Sequence, residues 1–132
     1  SRLQAGQVKG ATWRFRGLVE PLPALKPPMA GERIALAEPV VEKGAAFQEV
    51  LEARRSERQP GSPALSLAQL GEFLHRSVRV RRRIDGGGQE LLLRAYPSGG
   101  AIHELEFYLA IGECQGVAPG FYHYHAGEHA LY

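Results

Sequence analysis

The sequence predicts a single domain in which two helices precede a run of β-hairpins. Three observations predict it. Apolar residues recur at helical spacing in two windows, about 45–55 and 67–75. Later windows alternate apolar with polar residues or flank glycine-rich turns. The length of 132 residues, with 44% apolar and 23% charged side chains, fits one core.

The same composition excludes several classes. No run approaches the ~20 apolar residues of a membrane helix. The start, Ser1-Arg2-Leu3-Gln4-Ala5, has no apolar stretch of the kind a secretory signal needs. Cys114, the single cysteine, cannot form an internal disulfide and favours a reducing, cytoplasmic setting. A net charge of +2 is too small to argue for nucleic acid as a partner.

Residues 1–16 set Lys9, Arg14 and Arg16 around Trp13 and Phe15 without a clear period. Prolines 21, 23, 27 and 28 then predict an extended arm running to Pro39. Such an arm needs a body or a partner to lie on. We therefore divide the chain into an arm, 1–44, and a folded part, 45–132. In the first helix Phe47, Val50, Leu51 and Arg54 follow i, i+3, i+4, i+7. It ends near Ser56, before the break Pro60-Gly61-Ser62-Pro63. Ser66 opens the second helix, Gln69 completes a capping box, and Leu67, Leu70, Phe73 and Leu74 form its apolar face.

Residues 78–84 and 89–95 flank Asp85-Gly86-Gly87-Gly88, a turn that reverses the chain into a hairpin. Leu105, Phe107, Leu109 and Ile111 alternate with Glu104, Glu106, Tyr108 and Ala110, a half-buried strand. A loop at 116–120 leads into a second hairpin, 121–125 and 129–132, around Ala126-Gly127-Glu128.

Two segments carry candidate chemistry. Arg54, Arg55, Ser56 and Arg58 offer three guanidinium forks and a hydroxyl at a helix end, donors that suit a phosphate monoester. The plain alternative is a set of cations complementing the helix dipole. Pro97-Ser98-Gly99-Gly100 removes two side chains beside a hydroxyl, so a planar ring can approach the backbone and meet its polar groups. Its plain alternative is an ordinary turn before a strand. Together the segments read as two ends of one elongated anionic cofactor, best matched by FMN.

Other constellations carry less. His123, His125 and His129 have a spacing that can hold zinc, with the first two on one strand face. The reading adopted is a hairpin with these polar residues on its solvent face, and no metal. Arg76, Arg79, Arg81, Arg82 and Arg83 lack interleaved aromatics, so they read as an exposed strand rather than a nucleic-acid surface. His103 reads as a structural hydrogen-bond partner. Cys114 has no histidine at a telling distance and reads as an inert thiol.

Taken in order, Arg54-Arg55-Ser56-Glu57-Arg58, Leu65–Leu70, Tyr96–Tyr108 and Gly116–Tyr124 resemble the nitroreductase-like flavoprotein superfamily. The nearest branch is the SagB type, the azoline dehydrogenases of thiazole and oxazole peptide biosynthesis. The resemblance spans about residues 21–132. It implies an α+β fold, an antiparallel-rich sheet packed with helices, and FMN held without a covalent bond. It further implies a homodimer with both sites at the subunit interface. By that resemblance Arg54, Arg55, Ser56 and Arg58 hold the FMN phosphate. Pro97, Ser98, Gly99 and Gly100 line the isoalloxazine ring, from the neighbouring subunit.

Against the family pattern roughly the last third of the domain is absent, so the chain reads as a truncated, N-terminal two-thirds. The Lys-x-Tyr pair that azoline dehydrogenases use for proton removal is also absent. Lys9, Lys26 and Lys43 are the only lysines, all upstream of the motifs. No catalytic residue is therefore assigned, and a second chain supplying the missing part is an alternative to the homodimer. Two alternative functions stand beside the dehydrogenase: an NAD(P)H-dependent nitro or quinone reductase, and a truncated, non-catalytic binding module.

Overall fold

The structure is a computed structural model that describes residues 18, 20, 22–40, 44–59 and 61–132. The reading of residues 1–16 around Trp13, and prolines 21 and 60, lie outside the described residues. In chain order the elements are β1 (Ile34–Ala35), α1 (Phe47–Ala53), α2 (Leu67–Ser77), β2 (Arg82–Asp85) and β3 (Glu90–Leu93). A 3-10 turn (Gly99–Ala101), β4 (Phe107–Ile111), β5 (Gly120–His125) and β6 (Ala130–Leu131) complete the order. A four-stranded antiparallel sheet has the order β1-β6-β5-β4, and β2 pairs with β3 in a separate hairpin. Two helices with two antiparallel sheets are compatible with an α+β fold.

Local chemistry accounts for α2. Ser66 Oγ accepts the Gln69 N–H at 3.2 Å, and Gln69 Oε1 accepts the Ser66 N–H at 2.9 Å, the reciprocal box that silences two orphan donors. Replacing Ser66 with alanine is expected to cost about 1 kcal/mol in urea unfolding. No measurable loss would show that the cap adds nothing to stability.

The buried stripe of α2 consists of Gly71, Leu74 and His75, flanked by Leu67 and Leu70. It packs on the sheet face that carries Tyr124 and Leu131, with Phe107, Leu109, Ile111 and Tyr122 around them. Phe73, expected on this face, is 65% exposed. A helix advances 100° per residue, so Phe73 falls beside the stripe that Leu67, Leu70 and Leu74 define at i, i+3 and i+7. Gly71 stands where a Cβ would meet the Leu36 side chain at 3.4 Å, so the chain after β1 crosses the helix closely.

The β2–β3 turn also follows from its residues. Asp85 Oδ1 accepts the N–H groups of Gly87 and Gly88 at 2.9 and 3.1 Å, while Gly87 and Gly88 take φ of 77° and 91°. Only glycine adopts that conformation without steric cost. The proline arm lies on the body: Lys26 Nζ donates to the Tyr108 hydroxyl at 2.6 Å, and Arg33 pairs with Glu128 at 3.2 Å. Its end becomes an edge strand, with Ile34 opposite Leu131 and Ala35 opposite Ala130.

Helix α1 behaves differently. Its apolar stripe is exposed, with Phe47 77% open to solvent and Val50 and Leu51 more than half open. None of its residues is buried, and none belongs to the core cluster. No helix of the described residues is long and apolar enough to cross a membrane.

Candidate functional site

The arginine segment follows directly from the end of α1. Arg54 is the C-cap residue and leaves helical geometry at ψ 122°, and residues 54–59 run on as exposed chain outside helix or strand. Arg55 pairs with Glu57 at 3.3 Å, a fully solvated contact that holds neither side chain firmly. Among the described residues the side chains of Arg54, Ser56 and Arg58 make no hydrogen bond or ion pair. Two guanidinium groups and a hydroxyl are thus left uncommitted within five positions.

The second segment is a strained turn. Ser98 is extended, after which Gly100, Ala101 and His103 take φ of 62°, 58° and 51°. Left-handed backbone at Ala101 and His103 costs energy that the surroundings must supply. One visible restraint is Ser98 Oγ, which accepts the His103 N–H at 2.9 Å. A Cβ at Gly99 would meet nothing within 4 Å, and one at Gly100 would touch only the Ile102 side chain, at 3.7 Å. The glycine pair therefore presents bare backbone on an open side, with Pro97 exposed and Ser98 half-buried beside it.

In kind, these residues fit the two ends of FMN. The uncommitted donors match a phosphate in charge and hydrogen-bond capacity, and the bare turn admits a flat ring. Yet no hydrogen bond, ion pair or packed element pair joins the two segments among the described residues.

Behind the turn lies a polar cluster. Arg94, just past β3, is only 8% exposed and donates through Nη1 to the Tyr96 hydroxyl at 3.1 Å. His103 is buried edge-on against the Tyr96 ring, centroids 5.1 Å apart. Burial, and secondarily the Arg94 charge, pushes the His103 pKa down, so its ring is neutral near pH 7. The motifs do not point to Arg94. The signal for it is the strand period: Leu92 is fully buried, and Arg94 two residues later points to the same side.

The three hairpin histidines do not converge. His123 and His125 share one face of β5, and all three histidines are buried, which corrects the solvent-face expectation. Tyr108, opposite His123 in the register, covers its ring at 5.2 Å, and Tyr132 stands edge-on to His125. His123 Nε2 also meets the Glu106 carboxylate at 3.2 Å. His129 instead lies on the Tyr124 side of the sheet, with its Nδ1 2.9 Å from the Tyr124 hydroxyl. Among the described residues no group of three His, Cys, Asp or Glu side chains is placed to hold a metal ion.

The basic run is partly committed. Arg76 pairs with Glu72 at 2.7 Å, Arg79 donates to the His75 carbonyl at 3.0 Å, and Arg83 meets Glu90 at 3.3 Å. Cys114 is half-buried in the loop before β5.

No protein-family model matches the chain. Over 43 residues, 32% of its length, the chain is 49% identical to the trifolitoxin-processing protein TfxB of Rhizobium leguminosarum bv. trifolii. It spans 12% of the length of that relative. The chain is thus similar, along one stretch, to part of a protein that processes trifolitoxin.

Proposed function

We propose that the chain belongs to an FMN-dependent oxidoreductase of the nitroreductase superfamily, a SagB-type dehydrogenase that oxidises an azoline or similar ring in a modified peptide. One observation carries this reading. Uncommitted phosphate donors at Arg54, Ser56 and Arg58 precede, in family order, a bare glycine turn at 97–100. The partial likeness to a trifolitoxin-processing protein supports it from a separate direction.

When bound, FMN supplies a two-electron acceptor that the amino-acid side chains lack. The chain's own part is to hold and orient. Arg54 and Arg58 neutralise the phosphate with Ser56 as a further donor, and Arg55 joins once it releases Glu57. Gly99 and Gly100 let the ring edge reach main-chain groups, and the Ser98 hydroxyl, whose oxygen already accepts from His103, keeps its proton free to donate.

Each charge-assisted hydrogen bond contributes about 1.5–3 kcal/mol. Replacing both Arg54 and Arg58 with alanine is therefore expected to weaken FMN binding about 100-fold or more, read by quenching of flavin fluorescence. Unchanged affinity would overturn the phosphate assignment. Consumption of NADPH with a quinone acceptor would favour the nitro or quinone reductase instead.

The exposed stripe of α1 favours a partner for this region, a second copy in the reading above. Analytical ultracentrifugation is expected to find a flavin-bearing dimer. A stable, flavin-free monomer would favour the non-catalytic binding module.

A further inference from the structure

We propose that Arg94 and His103, both buried against Tyr96 behind the 97–101 turn, form a binding site for a carboxylate. Arg94 is a buried charge without a counter-ion among the described residues. Arg94 is 8% exposed, its Nε has no hydrogen-bond partner, and no carboxylate pairs with it among the described residues. Its one side-chain bond is to a neutral phenol, at 3.1 Å. Burying an ion without an opposite charge is costly. A lysine would escape by losing its proton, but an arginine does not. The guanidinium remains charged and requires an anion.

His103 supplies the second half. It is 6% exposed, and its Nδ1 is likewise buried without a partner. Burial keeps the ring neutral, so it can take up a proton when a carboxylate arrives. Water would satisfy each orphan atom but leave the arginine charge uncompensated. A carboxylate compensates it, and Nδ1 then takes up a proton to meet the second oxygen. The packing that places the pair is fixed: the turn rests on β3, Tyr96 packs edge-on against both His103 and Phe107, and Ser98 holds the His103 backbone.

The site lies next to the proposed flavin turn but does not depend on it, and its test needs no flavin. The charged and titratable side chains facing His103 are Arg94 and Tyr96. With sodium acetate as the probe, NMR of the His103 ring is expected to show a saturable shift and a rise in its apparent pKa. Arg94→Met should abolish that response and leave the protein more stable than the parent, because a buried unpaired charge is removed at similar volume. A purely structural arginine would give the opposite change in stability. Should Arg94→Met not fold, Arg94→Gln serves: it removes the charge but keeps a polar side chain beside Tyr96, loss of the acetate response is expected, and a retained response overturns the proposal.

The carboxylate has two possible sources, which the same measurement separates. A His103 pKa that rises with acetate assigns a small-molecule carboxylate or a peptide carboxylate. A pKa that rises with protein concentration alone assigns a side chain of a second copy. No rise in either series, or an acetate response retained in Arg94→Met, overturns the proposal.

Discussion

Replacing Leu131 with alanine is expected to destabilise the protein by about 2–5 kcal/mol, read as a lower urea midpoint at unchanged slope. Leu131 is fully buried in β6, between Ile34 of β1 and Tyr124 of β5, and belongs to the cluster with Leu36 and Leu74. Truncation removes methyl groups from a place where arm, sheet and α2 meet. Domains of this size are stable by about 5–15 kcal/mol, so the loss is a large fraction of the whole. Leu105→Ala is the control. Leu105 is 72% exposed, and its truncation is expected to fall within about 0.5 kcal/mol of the parent. Equal effects at the two positions would mean that the sheet face around Tyr124 is not the core.

The second large effect is a stability plateau bounded on both sides by pH. The Tyr124 hydroxyl lies 2.9 Å from His129 Nδ1, and His129 Nε2 lies 3.3 Å from the Ala37 carbonyl. The carbonyl can only accept, so Nε2 carries the proton and Nδ1 accepts from the tyrosine. His75 packs edge-on at 5.1 Å. Burial lowers the pKa of both histidines, with Arg79 adding to the effect at each, and burial pushes Tyr124 up to about 12.

The signs follow by linkage. A depressed histidine contributes stability that is present above its unfolded value of about 6.5 and is lost as pH falls through the folded value. A raised tyrosine contributes stability that is present below about 10 and is lost as pH climbs towards 12. Urea midpoints are therefore expected to be flat from about pH 7 to 9.5 and to fall on either side. The acid fall should begin above the range in which ordinary carboxylates titrate. Tyr124→Phe should remove the Tyr124 contribution to the alkaline limb while leaving the acid one. A midpoint unchanged from pH 7 to 5 would show that the two histidines are not buried in neutral form.

The legible parts of this molecule are the ones that neighbouring residues decide. The capping box at Ser66 and Gln69 forms as expected because both partners lie within one helical turn. The reversal at Asp85–Gly88 follows from a side chain bonding backbone two and three residues on. The alternation through Phe107, Leu109 and Ile111 marks the core face of β4, although Leu105, which continues the pattern, lies outside the strand and is exposed. Register there is set by the neighbouring strand and by where pairing stops.

The candidate site was legible as two lists of residue types, and less so as a place. Arg54, Ser56 and Arg58 are open donors and Gly99 carries no neighbour within 4 Å of a Cβ, in keeping with what each motif requires. Arg94 escaped the motifs because a buried arginine carries no local mark beyond its spacing from Leu92. The histidines misled for a related reason. Their period of two put His123 and His125 on one face, but that face is covered by Tyr108 of β4 and by Tyr132, just past β6.

Amino-acid order alone therefore determined the helix start at Ser66, the glycine turns, the strand period and the family-like succession of basic and glycine segments. Tertiary structure decided which faces meet. It made Ile34–Ala35 a strand, since two residues carry no period and pair only because β6 offers an open edge. It buried Arg94 and His103 behind the turn, sent His129 to the opposite side from His123, and left the apolar stripe of α1 exposed. The reason is physical. Caps and turns are bonds within a few residues, while burial depends on which distant segment comes to lie on top.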